Sequence, residues 1–186
     1  MVRTSANQMR PGGGSSGCEK QLKARDGEMT DIDKFLDEAI ALAFANVEQG
    51  GRPFGAVVVR DGEVIARGVN RIQADNDPTA HAELLALRAA GSALGSPRLD
   101  DCTVYASGQP CPMCMAAMRM AGVRDIVFAY SNEQAEPFGL STADIAAELS
   151  QPLEKQGWAS ITHRPHQAEG DGHLYRAWQA RAASRS

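Results

Sequence analysis

His81 and Glu83 stand two residues apart in the stretch HAE, and Cys111 and Cys114 follow in PCPMC. These residue types hold metal ions and move protons. Zinc takes four ligands in a tetrahedron, and where it works catalytically it keeps one position for water. One imidazole and two thiolates, from His81, Cys111 and Cys114, would fill the other three. Two thiolates cancel the charge of a divalent ion and weaken its pull on water's proton, so a base is needed nearby. Glu83, held two residues from a ligand, suits a proton shuttle between that water and a bound molecule. The competing reading is a structural zinc, but such a site closes with a fourth protein ligand. Cys102, the remaining cysteine outside the N-terminal tail, falls in DDCTVYAS at the expected start of a strand.

The neighbouring residues predict the elements that position these groups. AHAELLALRAAG carries Leu84, Leu85, Leu87 and Ala90 at helix-compatible spacing, and CPMCMAAMRMAG is rich in helix formers. Both helices begin at the ligands, where the macrodipole favours negative charge and draws a cysteine towards its thiolate. Pro110 and Pro112 suit such a start. Upstream, TDIDKFLDEAIALAFANVEQGG places Ile32, Phe35, Leu36, Ala39, Ile40, Ala43, Phe44 and Val47 on one helical face, with Asp31 the expected cap. PFGAVVVRDGEVIARGVN reads as two strands turned at Asp61 and Gly62. CTVYAS and RDIVFAY read as further strands alternating with the two ligand helices, which predicts parallel neighbours in a sheet covered on both faces. A short helix near TADIAAELSQP, a strand near ASITHRP and a helix near HLYRAWQARAA are expected towards the C-terminus. His163 and His166 have metal-like spacing, but the intervening proline breaks any shared helical face, so the pair is set aside.

A chain of 186 residues, 43% hydrophobic, suits one domain with a substantial core. No apolar run approaches a membrane span. The absence of a leader-like apolar segment and the use of cysteines in a metal motif predict a reducing, cytoplasmic setting. Residues 1–28 contain PGGGSSG and little periodic hydrophobicity, so a disordered tail is expected there, followed by a domain over 29–186. Cys18 in that tail reads as a bystander. Five basic and three acidic side chains give residues 1–28 a charge of +2, which leaves −6 on the remainder of a chain whose net charge is −4. An acidic body is a poor electrostatic partner for a phosphate backbone, so nucleic acid is not an expected partner.

The joint pattern H-x-E…P-C-x-x-C resembles the signature of the zinc deaminases. From about Gly51 to Tyr130 the chain resembles the cytidine deaminase superfamily, and NDPTAHAE, PFGAV and QPCPMC are most similar to its bacterial guanine deaminase branch. The resemblance implies a three-layer α/β/α fold around a central five-stranded mixed sheet, a homodimer, a Zn2+ cofactor and hydrolytic removal of an amino group from a small nucleobase or nucleoside. It implies Asn70 as a contact to the base, Phe54 as a wall of the pocket and the Ala82 N–H as a further donor. The same residues also read as a turn asparagine and a core aromatic. Two departures stand out. Gln109 replaces the glutamate of the relatives' EPC, and EPFGLSTADI stands where guanine deaminases carry a GFDD-like acidic pair, leaving Asp144 or Glu136 as a possible substitute acid. The alternatives are tRNA adenosine deamination, a cytosine, isocytosine or triazine aminohydrolase, and a zinc-bound binding module without activity. Retention of Glu83 opposes the last.

Overall fold

The computed structural model describes residues 30–165 and 173–184, and the chain divides into two compact units between Ala143 and Asp144. The expected tail over 1–28, Cys18 and His166 lie outside the described residues.

The first unit is a four-stranded sheet between helices. Helix α1 (Asp31–Glu48) starts at Thr30, not at the expected Asp31. The Thr30 hydroxyl accepts from the Asp33 N–H, while the Asp33 carboxylate accepts from the Thr30 N–H at 3.1 Å. This reciprocal box satisfies donors that a lone Asp31 would leave open. Strands β1 (Gly55–Arg60) and β2 (Glu63–Val69) form an antiparallel hairpin. Its turn residues Asp61 and Gly62 have φ of 52° and 78°, the left-handed pair that a tight hairpin turn requires. A single turn of helix, α2 (Ile72–Asp75), precedes α3 (Ala82–Leu94). Strand β3 (Cys102–Gly108), helix α4 (Pro112–Ala121), strand β4 (Asp125–Tyr130) and the short α5 (Asn132–Ala135) complete the unit, with a 3-10 turn at Glu136–Phe138.

The strand order is β2-β1-β3-β4. Only β3 and β4 are parallel, because β3 runs antiparallel to β1. The expected alternation of strand and helix thus holds for the second half of the sheet, while the hairpin sets the direction of the first half. Period-two alternation divides β1 between two cores. Ala56 and Val58 face α3 and α4, packing with Ala82, Ala86, Ala90 and Met118. Val57 and Val59 face α1 with Phe35 and Tyr105, whose rings lie 5.1 Å apart. Three layers result, as the resemblance implied.

Four strands are present among the described residues, not five. The expected strand near ASITHRP lies in the second unit, and residues 159–165 form no ladder. Only Ala159 and Ile161 alternate before His163-Arg164-Pro165, and proline removes a donor that pairing needs. That unit holds α6 (Ala143–Leu149), a 3-10 turn at Leu153–Lys155 and α7 (His173–Ala183). It leaves Ile145, Leu149, Trp158 and Trp178 exposed.

Close packing sets the position of α3 against the sheet. A Cβ on Gly68 of β2 would run into the Ala82 carbonyl oxygen and come within 2.7 Å of the Ala86 nitrogen, both backbone atoms of α3. Gly68→Ala is therefore expected to push α3 away from the sheet, with an overpacking cost of about 1–3 kcal/mol. A thermal melt checks it: the loss should be roughly 2–4 °C per kcal/mol, and a wild-type midpoint would refute this account of the packing.

Candidate metal and active centre

The strand register gathers the loops at one end of the sheet. Gly55 pairs with Val69, Ala56 with Ala106, and Gly108 with Tyr130. Phe54, Asn70 and Gln109 therefore leave the sheet together, and the ligand helices start beside them. His81 is the N-cap of α3 and Cys111 the N-cap of α4, with Pro112 in the first turn. Neither side chain caps its own helix, so both are available for a common centre.

That centre is a triangle. Cys111 Sγ lies 3.6 Å from His81 Nδ1 and 3.6 Å from Cys114 Sγ, and Cys114 Sγ lies 3.6 Å from His81 Nδ1. Zinc bonds of about 2.3 Å to sulfur and 2.0–2.1 Å to nitrogen, at tetrahedral angles, place two sulfurs about 3.8 Å apart and sulfur about 3.6 Å from nitrogen. The donors fit zinc in both type and spacing. Among the described residues they are the group of histidine, cysteine and acidic side chains arranged to hold a metal.

The electrostatics agree. The Cys111 thiol is drawn down to about 4 by its hydrogen bond with Cys114, with His81 assisting and burial opposing. Cys114 is pushed up by that same bond and by burial. His81 is raised by its hydrogen bond to Cys111. Ionised donors this close repel one another, and a divalent cation is the partner that lets both sulfurs be thiolates at once. Glu83, in the first turn of α3, is 7% exposed, and burial raises its carboxyl above the usual range. Its place in that turn, two residues after His81, keeps it beside the ligand cluster. A carboxyl so placed takes up and releases a proton nearer neutral pH than an exposed one does.

The other expected site residues are distributed unevenly. Ala82, 1% exposed, is the first residue of α3, so its N–H has no intrahelical acceptor. Asn70 is 4% exposed; its N–H donates to the Phe54 carbonyl at 3.0 Å. The next residue, Arg71, donates to Ala80 O at 2.9 Å, which brings this turn beside the His81–Glu83 corner. Phe54 lies against Gly108, where an added Cβ would meet its ring at 2.9 Å. Asp144 is an exposed residue in the first turn of α6 and belongs to the second unit. Glu136 sits exposed in the first unit's 3-10 turn. His163 is exposed.

Two residues with roles here were not singled out by spacing. Gln109 accepts through Oε1 from the Asn132 N–H at 3.0 Å, linking the ligand loop to the segment after β4. Asn46, buried on α1, bonds to the loops around Phe54 and Asn70. Its signal was a polar residue in phase with Ala39 and Ala43. An apolar cavity of about 290 Å³, walled by Phe44, Val47, Tyr130 and Phe138, also touches Phe54 but contains none of the metal donors. It accounts for Phe44 and Val47, expected in the core, being 66% and 46% exposed. The donor triangle, and not this hollow, marks the chemistry.

Comparison with known proteins agrees with the geometry. Residues 29–130 match the family described as the cytidine and deoxycytidylate deaminase zinc-binding region. The guanine deaminase of Bacillus subtilis (strain 168) is 43% identical over 123 residues, covering 66% of this chain and 79% of that protein. An X-ray structure of guanine deaminase from Bacillus subtilis superposes with a TM-score of 0.70 and 38% identity, over 80% of this chain and 93% of that one. The tRNA-specific adenosine deaminase of Bacillus subtilis is 41% identical over 100 residues, 54% of this chain and 62% of that protein. The donor triangle, the layered fold and these matches converge: the chain belongs to the cytidine and deoxycytidylate deaminase family, zinc hydrolases acting on carbon–nitrogen bonds of cyclic amidines.

Proposed function

We propose that this enzyme deaminates a free nucleobase or small nucleoside, with guanine, converted to xanthine and ammonia, as its substrate. The observation that carries the chemistry is the 3.6 Å triangle of His81, Cys111 and Cys114 beside buried Glu83. The choice of guanine is supported by the match to a guanine deaminase over 79% of that protein's length.

Zinc held by His81, Cys111 and Cys114 supplies Lewis acidity that makes water a nucleophile near neutral pH. Glu83 does the proton work. Its carboxylate accepts a proton from the attacking water and delivers it to the ring nitrogen beside the amino-bearing carbon, which becomes electrophilic. The water oxygen bonds to that carbon. Glu83 then carries the remaining hydroxyl proton to the amino group, the carbon–nitrogen bond breaks and ammonia leaves. One carboxyl serves twice because its charge state resets within the cycle. Phe54 packs on the base, Asn70 offers its amide to the base edge and the Ala82 N–H donates to a ring nitrogen or carbonyl. Asp144, an acid within the departing segment EPFGLSTADI, is the candidate to be tested for accepting from guanine's amino and N–H groups.

The enzyme works as a homodimer in the cytoplasm. Exposed Met120, Phe138 and Trp178 support association, and the three described cysteines, all free, suit a reducing compartment. No described helix is long and apolar enough to cross a membrane.

The test is ammonia release by the zinc-loaded chain from guanine, guanosine, cytosine, isocytosine and an adenosine-containing tRNA stem-loop. Guanine should give the highest kcat/KM. The match to a tRNA deaminase makes the stem-loop the informative rival, and turnover confined to it would overturn the proposal. Asp144→Asn should lower kcat/KM for guanine more than for a pyrimidine, because an acid that pairs with the substrate discriminates by being left unpaired with the wrong one. Equal values would remove Asp144 from recognition.

A further inference from the structure

Asn46 interrupts the buried face of α1 with a polar side chain, and its amide is used on the loops that carry Phe54 and Asn70. Nδ2 donates to Arg52 O at 2.7 Å and to Asn70 O at 2.9 Å. Arg52 O also accepts from the Phe54 N–H at 2.8 Å, and Phe54 O accepts from the Asn70 N–H at 3.0 Å. The hydrogen bonds therefore close a ring: Asn46 to Arg52, to Phe54, to Asn70 and back to Asn46. A carboxamide fits this place because it offers two N–H donors to two carbonyls, whereas an ionised carboxylate offers none.

The turn is shaped around that side chain. Gly51 donates its N–H to Asn46 O at 2.8 Å, and a Cβ on Gly51 would lie 2.5–2.7 Å from Asn46 Nδ2, Cγ and Oδ1. The Asn70 side chain is held through Oδ1, which accepts from the Ile72 N–H at 3.3 Å. Its Nδ2 has no partner among the described residues and is not sealed from solvent. The ring thus holds one residue's aromatic face and another's unused donor at the same end of the sheet as the metal ligands.

We propose that Asn46 is a positioning residue for substrate recognition, setting Phe54 and Asn70 against one another and acting on the bound base only through them. This rests on the reading of Phe54 and Asn70 as base contacts. Removing the amide leaves the Asn70 carbonyl without its donor and Arg52 O with the Phe54 N–H alone, and lets the two loops part, which weakens binding of the base while Glu83 and the ligand triangle stay in place.

The experiment uses the full-length, zinc-loaded chain and whichever base of the panel turns over fastest. The variants are Asn46→Ala, Gly51→Ala, Asn70→Ala and the double Asn46→Ala/Asn70→Ala. Gly51→Ala keeps the amide but crowds it aside, so it probes the same ring if Asn46→Ala fails to fold. Asn46→Ala and Gly51→Ala should each raise KM on the order of tenfold, with zinc content unchanged and kcat within about twofold. The double variant should exceed Asn70→Ala in KM by no more than about twofold, since residues acting in one network are not additive. Wild-type KM in Asn46→Ala and Gly51→Ala alongside a raised KM in Asn70→Ala would discard the positioning role alone, as would fully additive effects. An unchanged KM in Asn70→Ala would discard the base-contact reading and, with it, the role assigned to Asn46.

Discussion

Glu83→Gln should retain zinc and the fold while turnover falls by about 10²–10⁴, the range associated with losing a positioned general acid–base. Glutamine keeps the shape of the side chain and can donate a hydrogen bond, but it cannot cycle a proton between water and base. The substitution should not destabilise the protein. Burial raises the Glu83 carboxyl above its ordinary 4.5. A carboxyl raised in the folded state is carried without penalty below that value, and stability is lost as the pH climbs from it through the folded pKa. With both proteins chelator-treated, the Gln variant should therefore melt with wild type at acid pH and above it at neutral pH. Stopped-time ammonia assays, metal analysis and melts at both pH values test the set. Near-wild-type turnover in the zinc-loaded variant would take Glu83 out of the reaction.

Cys114→Ala should lose zinc and stability together. Cys114 is fully buried against Met118, and its sulfur is one of three donors at 3.6 Å spacing, so its removal leaves two ligands. Binding to the folded state alone stabilises by about 4 kcal/mol when free metal is 1,000 times Kd, and in a domain of this size each kcal/mol moves Tm by roughly 2–4 °C. The expected drop is thus roughly 8–16 °C, with zinc falling to trace levels after dialysis. Chelation of wild type should reproduce the shift. Cys102→Ala supplies the contrast: Cys102 is also buried, but it opens β3 opposite Arg60, at the other end of that strand from the ligands. It should keep its zinc. Full occupancy in Cys114→Ala would exclude this ligand set.

The donors of the metal centre were legible because the placement of each on its own helix is local. His81 and Cys111 start helices, and Cys111 and Cys114 share a first turn at i and i+3, so spacing alone puts both sulfurs on one face. The hairpin was legible for a similar reason, since Asp61-Gly62 suits only a narrow set of turns. The cap of α1 was displaced by one residue because Thr30 and Asp33 satisfy each other, a pairwise choice that a single expected cap does not weigh. Phe44 and Val47 followed the period of the helix but not the extent of the sheet beneath it. Asn46 was missed because a polar residue on an apolar stripe has no meaning until the carbonyls it meets, one of them 24 residues away, are known.

By itself the sequence determined the donor types, the helix starts at His81 and Cys111, an acidic side chain two residues from a ligand, and strands alternating with helices, all consequences of periods and spacings along the chain. Tertiary structure alone decided that histidine and the two cysteines close to a 3.6 Å triangle across 30 and 33 residues of chain. It also decided that β3 runs antiparallel to β1, which brings Phe54 and Asn70 to the metal end of the sheet. Strand direction, register and the reach of a buried amide depend on which surfaces meet, and no local pattern carries that information.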